Sequence, residues 1–302
     1  MAAQLRLVRQ RISTVQSIAK ITRAQELIAS SRIVRAQQQQ RAAEPYAREL
    51  TRAVEAVISR STNITHPFTT EPKNPTRAAV LILTSDQGFA GAYNANVLRE
   101  AARLRQALHE RHIQPVLYVS GRKGITWHRF RELELAGSWS GFSATPRYRD
   151  AKAIADVLLE AFEAKDASKV DEIHLVGTEF VSMLTQRPSV RRLLPLEIED
   201  TDEPSPHGPL PSYEFEPGPA EVLDALMPQY VASRIFYALL EAAASELASR
   251  RRAMKAATDN ANDLIETLTR EANKARQAEI TQEISEIVGG ANALALASAT
   301  SE

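Results

Sequence analysis

The stretch Met254-Lys-Ala-Ala-Thr-Asp-Asn-Ala-Asn-Asp-Leu-Ile-Glu-Thr-Leu268 belongs to a run without proline that extends from Gln229 to Val288. Because nothing in this run forbids helix, it predicts one unbroken helix of about sixty residues, roughly 90 Å long. Gly289 and Gly290 predict its end. Its apolar positions recur mostly at steps of three and four and form one narrow stripe: Ala243, Leu247, Met254, Ala257, Ala261, Leu264, Leu268, Ala272 and Ala275. A single stripe must face another helix.

The beginning of the chain predicts that second helix. Steps of three and four through residues 3–60 give a seam that is apolar at both ends and small or polar in the middle. Pro45 predicts a kink. The seam consists of Leu5, Val8, Ile12, Val15, Ala19, Thr22, Glu26, Ala29, Ile33, Ala36, Gln40, Ala43, Ala47, Leu50, Val54 and Val57. The two ends of the chain therefore predict a long antiparallel coiled coil.

Between these helices the periodicity is that of an α/β domain. The expected strands are Ala78–Thr84, Val116–Val119, Glu172–Val176 and an edge strand Arg191–Ile198 that tolerates Pro195. The expected helices are Ala95–Arg111, a short one to about Phe130, and Asp150–Ala164. Such alternation predicts an open, Rossmann-like α/β domain inserted into the coiled coil.

The domain boundaries follow from these patterns. We expect an N-terminal helix at 1–60, a linker at 61–76, the α/β domain at 77–218 and the C-terminal helix at 219–302. The proline-rich stretch Glu203–Pro219 leads into the last helix.

Composition excludes several classes of protein. The formal net charge is zero, so the chain as a whole is not a general binder of nucleic acid or of anionic membranes. There is no cysteine, which excludes disulfides and thiolate metal sites and fits a reducing compartment. The N-terminus lacks a signal-type apolar segment, and no stretch of about 18 apolar residues occurs, so neither export by that route nor a membrane span is expected. Residues 1–60 carry 11 Lys and Arg against 4 Asp and Glu, which keeps a nucleic-acid-binding scaffold open as an alternative.

The glycine turn Thr84–Asn94 lies where a doubly wound fold would bind a nucleotide. It matches neither G-x-x-x-x-G-K-[ST] nor G-x-G-x-x-G. A structural or partner-contacting turn is therefore favoured over a nucleotide site, which remains the alternative.

Other candidate sites are weaker. His109 and His112 lack a third ligand, which favours a solvated helix face over a metal site. No G-x-S-x-G motif exists, so we expect no catalytic residues. The missing nucleotide motifs and the histidine spacing likewise lead us to expect no cofactor-binding or metal-binding residues. An enzyme of the central domain remains an alternative. Arg250-Arg-Arg252 reads first as an ordinary charged face and second as a contact with a partner protein. The tip Ala291–Ala297 is almost free of charge, and we expect a partner to cover it.

Two motifs resemble those of a known family. The run Ala256–Ile265, together with Ala275–Ala291, resembles the C-terminal signature of the gamma subunit of rotary ATP synthases. Lys20–Arg32 is similar to that family's N-terminal helix, and Thr84–Asn94 is similar to its central Ser-Asp-Arg-Gly-Leu-Cys-Gly pattern. The resemblance covers the whole chain and looks bacterial, specifically actinobacterial.

Three residues depart from the family pattern. Gln87 stands where the family usually has arginine, Ala90 where it often has cysteine, and Gln25 where many members have methionine. These departures leave the implied architecture unchanged and bear only on the ionic contact that the family's arginine would make.

The resemblance implies a non-catalytic rotor shaft of a proton-translocating ATP synthase. Its implied partners are the hexamer of alpha and beta subunits, the epsilon subunit and the membrane ring of c subunits, with one shaft in each complex and no nucleic acid. The implied location is peripheral, at the cytoplasmic face of the cell membrane. Matching positions imply contacts with the catalytic subunits for Arg250, Gln277, Thr281, Arg276 and Glu283.

Overall fold

The computed structural model describes residues 2–60, 66–196, 216 and 218–299. They form two compact units, which are described separately. The terminal unit comprises Met1–Ile28 and Arg252–Glu302, and the sheet unit comprises Ala29–Arg251. In order along the chain, the elements are α1 (Ala2–Arg60), β1 (Arg77–Leu83), α2 (Tyr93–Glu110), β2 (Gln114–Ser120), α3 (Arg122–Phe130), β3 (Gly137–Trp139), α4 (Tyr148–Glu163), β4 (Glu172–Phe180), β5 (Gln186–Leu194) and α5 (Pro219–Ala299).

The sheet unit is built on a five-stranded sheet with the order β3-β2-β1-β4-β5. The first four strands pair in parallel, and β5 pairs antiparallel with β4 at one edge. β1 is buried along nearly its whole length, as expected for an apolar strand that is covered on both faces. The strand order reverses between β1 and β4, which is where ligands bind in open sheets of this type.

Helices cover both faces of the sheet. On one face, α4 packs with parts of α1 and α5 on alternate residues of β1 and β4, with Leu158, Leu223 and Ile235 fully buried. On the other face, α2 and α3 bury Val97, Leu108 and Ile125 against β1 and β2. Because successive side chains of a strand point to opposite faces of the sheet, each strand contributes residues to two separate cores.

Within the sheet unit, α1 and α5 run antiparallel. Gln40 bonds to Tyr237 and Tyr46 to Gln229, so residue numbers fall along one helix as they rise along the other. Ile33 packs with Leu247 and with Ala244 and Ala248, and the small side chains of the two alanines let the backbones approach closely.

Within the terminal unit the same two helices are again antiparallel. Thr22 bonds to Thr258, and a groove nearer the start of α1 is lined by Leu7, Val15, Leu264 and Leu268. All sixteen residues of the predicted α1 seam are buried or half-buried. The predicted fold class, long terminal helices with an inserted α/β sheet, is confirmed.

Several details differ from the predictions. Helix α5 does not end at Gly289 and Gly290 but continues to Ala299, since a glycine permits a helix end without imposing one. Leu264 of the predicted stripe is 46% exposed, whereas Thr258, which lies outside the predicted stripe, is buried. Strand β5 ends at Leu194, before Pro195.

Some expectations fall outside the described residues. These include the end of the predicted edge strand at Glu197 and Ile198, most of the stretch Glu203–Pro219, and the side chains of the tip beyond Ala291. The domain boundaries and the kink at Pro45, which lies inside α1, remain predictions.

Candidate functional site

The glycine turn Thr84–Asn94 is fixed to the carboxyl edge of the sheet by polar bonds. The hydroxyl of Thr84 donates to Ser120 O at 2.9 Å and accepts from Gly124 N at 3.0 Å. Asn94 Oδ1 accepts from Ser85 N at 2.9 Å, and Asn94 Nδ2 donates to Ser85 Oγ at 2.8 Å. Side chains at both ends of the turn therefore hold it in one conformation.

Asp86 occupies the place where an anionic ligand is expected. Its carboxylate accepts from the backbone N–H of Arg122 at 3.0 Å, at the first residue of α3. It also accepts from Gly141 N at 2.8 Å and Ser143 N at 3.0 Å. Converging N–H groups at a helix N-terminus favour a negative charge. An internal carboxylate satisfies them here, which supports the structural reading of the turn over the nucleotide site.

Helix α5 fills the edge of the sheet where the strand order reverses. Ser245, which is fully buried, donates weakly to Thr178 O of β4 at 3.5 Å. Glu246, which is 1% exposed, pairs with Arg250 at 2.7 Å. The position that a small ligand takes in related open sheets is thus occupied by this chain's own helix.

Burial is the main cause of the pKa shifts of the ionisable groups around this helix segment. Desolvation raises the pKa of Glu246, while Arg250 and a hydrogen bond from Ser143 act in the opposite direction. Burial, together with the neighbouring Glu246, also raises the pKa of the Tyr93 hydroxyl. Such shifts mark functional sites in some proteins, but each group here has internal partners that account for its shift.

Arg250, predicted as a contact with other subunits, is 5% exposed. Its guanidinium donates to Gln87 O at 3.2 Å, Gly88 O at 3.3 Å and Glu246 Oε1 at 2.7 Å. These bonds all lie within the sheet unit. Contact with the catalytic subunits stays a prediction for Arg250, whereas its role inside the unit is visible.

The other four predicted contact residues lie on the last third of α5. Residues 281–291 are exposed on every side, and Arg276 and Gln277 are exposed as well. Thr281 donates to Gln277 O at 2.8 Å, a bond within the helix that leaves its oxygen able to accept. Gln277, Thr281, Arg276 and Glu283 thus present polar groups to solvent.

An apolar stripe separates these polar residues. Ile280, Ile284 and Ile287 are 45%, 56% and 71% exposed. At about 100° per residue they share one face of α5, with Gln277 and Thr281 along one side of it and Arg276 and Glu283 along the other. Exposed isoleucines at helical spacing, bordered by polar groups, are typical of a surface that a partner covers. The spacing of four and three residues between these isoleucines is the sequence signal for the stripe, which the polar residues named by the resemblance do not include.

The remaining candidate residues are solvent-facing or unremarkable. His109 and His112 are both exposed. Among the described residues no group of three or more His, Cys, Asp or Glu is placed to hold a metal ion. In the same part of the chain, no helix combines the length and apolarity that crossing a bilayer requires.

Comparisons with known proteins place the chain in a family. A family model described as ATP synthase matches residues 4–294. The ATP synthase gamma chain of Thermobifida fusca (strain YX) is 58% identical over 306 residues, covering 100% of both chains. The ATP synthase gamma chain of Acidothermus cellulolyticus is 61% identical over 295 residues, covering 97% of this chain and 98% of the relative. Both come from actinobacteria, as the resemblance implied.

Solved structures support the fold. A chain of the Euglena gracilis mitochondrial ATP synthase, from a structure of OSCP, F1 and c-ring in rotational state 3, superposes with a TM-score of 0.69. It is 14% identical, with 97% of this chain and 95% of that chain covered. A chain from the central stalk and c-ring of the Tetrahymena thermophila enzyme gives a TM-score of 0.57 at 21% identity, covering 78% of this chain and 99% of that one.

Proposed function

The chain belongs to the ATP synthase gamma-chain family, and we propose that it is the central shaft of a rotary ATP synthase, coupling rotation of a membrane ring to the catalytic sites. The observation that carries this function is the family match over nearly the whole chain, at 58% and 61% identity to two gamma chains. The shaft does no chemistry itself. It works by what it contacts as it turns.

The proposed partners are those of a shaft. The antiparallel helices sit within a hexamer of alternating alpha and beta subunits, and the sheet unit faces the epsilon subunit and the ring of c subunits. One copy serves each complex at the cytoplasmic face of the cell membrane. The long helices and the sheet of this chain supply surfaces of two different kinds, which suits two different sets of neighbours.

The physical basis of the proposal is asymmetry. Two antiparallel helices have no three-fold axis, so three identical catalytic subunits each meet a different side of the shaft. Each side favours a different conformation only through a difference in contact energy. Shifting one site about 10⁴-fold requires about 5.5 kcal/mol of such difference. A few charged hydrogen bonds at about 1.5–3 kcal/mol each supply it.

The exposed end of α5 is the proposed contact surface. Gln277 and Thr281 lie on one side of the isoleucine stripe, and Arg276 and Glu283 on the other. The isoleucines bury apolar surface against a partner that covers them. The polar residues on either side make the free energy of that contact depend on the rotation angle of the shaft. Arg250 remains a predicted contact that would require its buried side chain to become accessible.

Reconstitution with purified alpha and beta subunits tests the function. We expect one copy of the full chain to co-elute with each hexamer, and to restore proton pumping driven by ATP hydrolysis when added to vesicles that carry the remaining subunits. The Gln277→Ala/Thr281→Ala variant should assemble equally well but synthesise ATP at a lower rate. A chain that is not captured by the hexamer contradicts the shaft, and a variant with unchanged synthesis contradicts the roles of these two residues.

A further inference from the structure

The geometry points to Arg250 as a positioning residue that locks the glycine turn Thr84–Asn94 onto helix α5, so that the turn and the helix move as one body. This inference rests on the proposed shaft function for its consequence, but its structural basis lies wholly within the sheet unit. It assigns Arg250 an inward role, where the family resemblance implied an outward one.

The first support is the pattern of bonds that Arg250 makes. Nη2 donates both to Gln87 O at 3.2 Å and to Glu246 Oε1 at 2.7 Å, while Nε donates to Gly88 O at 3.3 Å. Two consecutive carbonyls of the turn are thus bound by one planar group that is anchored one helical turn back on α5. The contacts join residues 162 and 163 positions apart in the chain.

The second support is burial. Arg250 is 5% and Glu246 is 1% exposed, so solvent competes little for these donors and acceptors. A buried ion pair gains little net stability when it replaces apolar packing, yet the loss of one partner leaves an uncompensated charge. A pair of this kind is better explained by the geometry it imposes than by the stability it adds.

The third support is the continuation of the network beyond the pair. Ser143 hydrogen bonds to Glu246, and its hydroxyl accepts from Asp86 N at 2.9 Å. Asp86 in turn accepts from Arg122 N of α3. The turn is therefore attached to α5 directly through Arg250 and indirectly through Ser143, and the same bonds attach it to the start of α3.

The held segment presents one exposed apolar side chain. Phe89, the residue after Gly88, has a φ of +59° and is 81% exposed. A positive φ at a non-glycine residue is sparsely populated and persists where surrounding bonds fix it. The bonds from Arg250 to the two preceding carbonyls supply that restraint, so the direction in which Phe89 points is set by α5.

Arginine is required for this geometry. Lysine would place a single ammonium where the guanidinium donates through two separate nitrogens, so it cannot bind both carbonyls and Glu246 with the same directions. We therefore expect Arg250→Lys to keep the charge pair while loosening the turn. This separates positioning from charge.

Hydrogen exchange of the full chain, alone and assembled with the alpha and beta subunits, tests the lock. Arg250→Ala should speed exchange of the Ser85 and Asp86 amides, which donate to Asn94 Oδ1 and Ser143 Oγ, by tenfold or more, and Arg250→Lys by less, while peptides of β1 stay protected. Arg251→Ala, at the adjacent and half-exposed position, should leave exchange in the turn unchanged. Equal exchange in wild type and Arg250→Ala overturns the proposal.

A second variant distinguishes loss of the lock from loss of the folded state. The double change Glu246→Gln/Arg250→Met removes both charges together and fills the space, so the fold should persist while the turn still exchanges faster. A double variant that folds and keeps the turn protected also overturns the lock.

The functional readout separates this proposal from the shaft function itself. In vesicles with the reconstituted complex, Arg250→Ala should pump severalfold fewer protons per ATP hydrolysed than wild type. Lower coupling with an unchanged turn would mean that Arg250 acts on a neighbouring subunit, against the proposal. A wild-type chain that does not couple ATP hydrolysis to proton pumping contradicts the shaft function. The exchange result tests the lock independently of that function.

Discussion

Thr22 of α1 and Thr258 of α5 share a hydrogen bond between their hydroxyl oxygens, which lie 2.7 Å apart. Both side chains are 8% exposed, and Thr22 belongs to the small and polar middle of the α1 seam. A buried polar pair of this kind favours one register of the two helices, because sliding either helix breaks the bond between the hydroxyls and leaves each with only a carbonyl of its own helix, Ala19 O for Thr22 and Met254 O for Thr258.

The Thr22–Thr258 bond should appear as a coupling in a double-mutant cycle. We expect Thr22→Val and Thr258→Val each to lower the free energy of unfolding by about 1 kcal/mol, and the double variant to lose about 0.5–1.5 kcal/mol less than their sum. Urea unfolding of the full chain measures this. Thr14→Val is the control, since Thr14 also bonds back to its own helix but is exposed. Strictly additive losses would contradict a cross-helix bond.

The ion cluster around Glu172 should make stability depend on acidic pH. Its carboxylate is 2.7 Å from both His174 Nε2 and Arg111 Nη2, and the bond to His174 followed by that to Arg111 lowers the pKa of Glu172 below its ordinary 4.5. A lowered pKa in the folded state stabilises the protein above the unfolded value, and this stabilisation is lost as the pH falls through the folded value.

Replacing Glu172 tests this dependence. We expect Glu172→Gln to be less stable than wild type by about 1–3 kcal/mol at neutral pH, with a difference that shrinks as pH falls below about 4.5. Urea unfolding at several pH values is the measurement. Glu110→Gln, an exposed position of the same unit, should change stability by less than about 0.5 kcal/mol. A difference that stays constant with pH would refute the linkage.

The isoleucine stripe should matter for coupling and not for folding. Because Ile280 and Ile284 are 45% and 56% exposed, Ile280→Asn/Ile284→Asn should leave the thermal unfolding of the full chain nearly unchanged. In the assembled complex the variant loses about 1–2 kcal/mol of apolar burial per side chain, and we expect ATP synthesis in vesicles to fall severalfold. Gln282→Ala, on the opposite side of the helix, is the control. Normal synthesis by the asparagine variant would mean that no partner covers the stripe.

Two glycines with nearly the same φ allow the cost of a steric collision to be separated from the cost of a positive φ. Gly121 and Gly141 have φ values of +102° and +101°. A Cβ at Gly121 would collide with the backbone carbonyl of Thr84, whereas a Cβ at Gly141 would meet nothing within 4 Å. Gly141→Ala should cost about 1–3 kcal/mol of backbone strain alone. Gly121→Ala should cost that amount and several kcal/mol more, as measured by urea unfolding, and equal costs would contradict the predicted collision.

Local periodicity correctly predicted the elements that are determined by residues close together in the sequence. The α1 seam from Leu5 to Val57 was predicted correctly because each step of three or four returns to the same helix face. Strand β1 was predicted to within one residue at each end because an apolar run of that length has few alternatives. The three-residue strand β3 was missed, since so short a segment carries no periodic signal.

Errors arose where a local signal competed with its surroundings. Gly289 and Gly290 suggested an end to α5, but two glycines cost only about 1 kcal/mol each against alanine, and the residues that follow are mostly alanine and leucine, which are strong helix formers. Leu264 was assigned to the buried stripe by spacing, yet it is 46% exposed and borders the groove lined by Leu7 and Val15.

Long-range contacts were beyond the reach of sequence patterns. Nothing in Arg250-Arg-Arg252 distinguishes the first arginine as buried, because its partners Gln87 and Gly88 lie 163 and 162 positions away. The role of Asp86 was equally hidden, although a carboxylate inside a glycine turn that follows a buried strand is a sequence signal for such a role.

Helix α5 fills the crevice that an open sheet of this type would otherwise offer to a diffusing small molecule. Because the occupant is tethered to the sheet by the chain, it competes at an effective concentration that dissolved metabolites rarely reach. The sheet unit therefore has no means, at this crevice, of sensing how much ATP the cell holds.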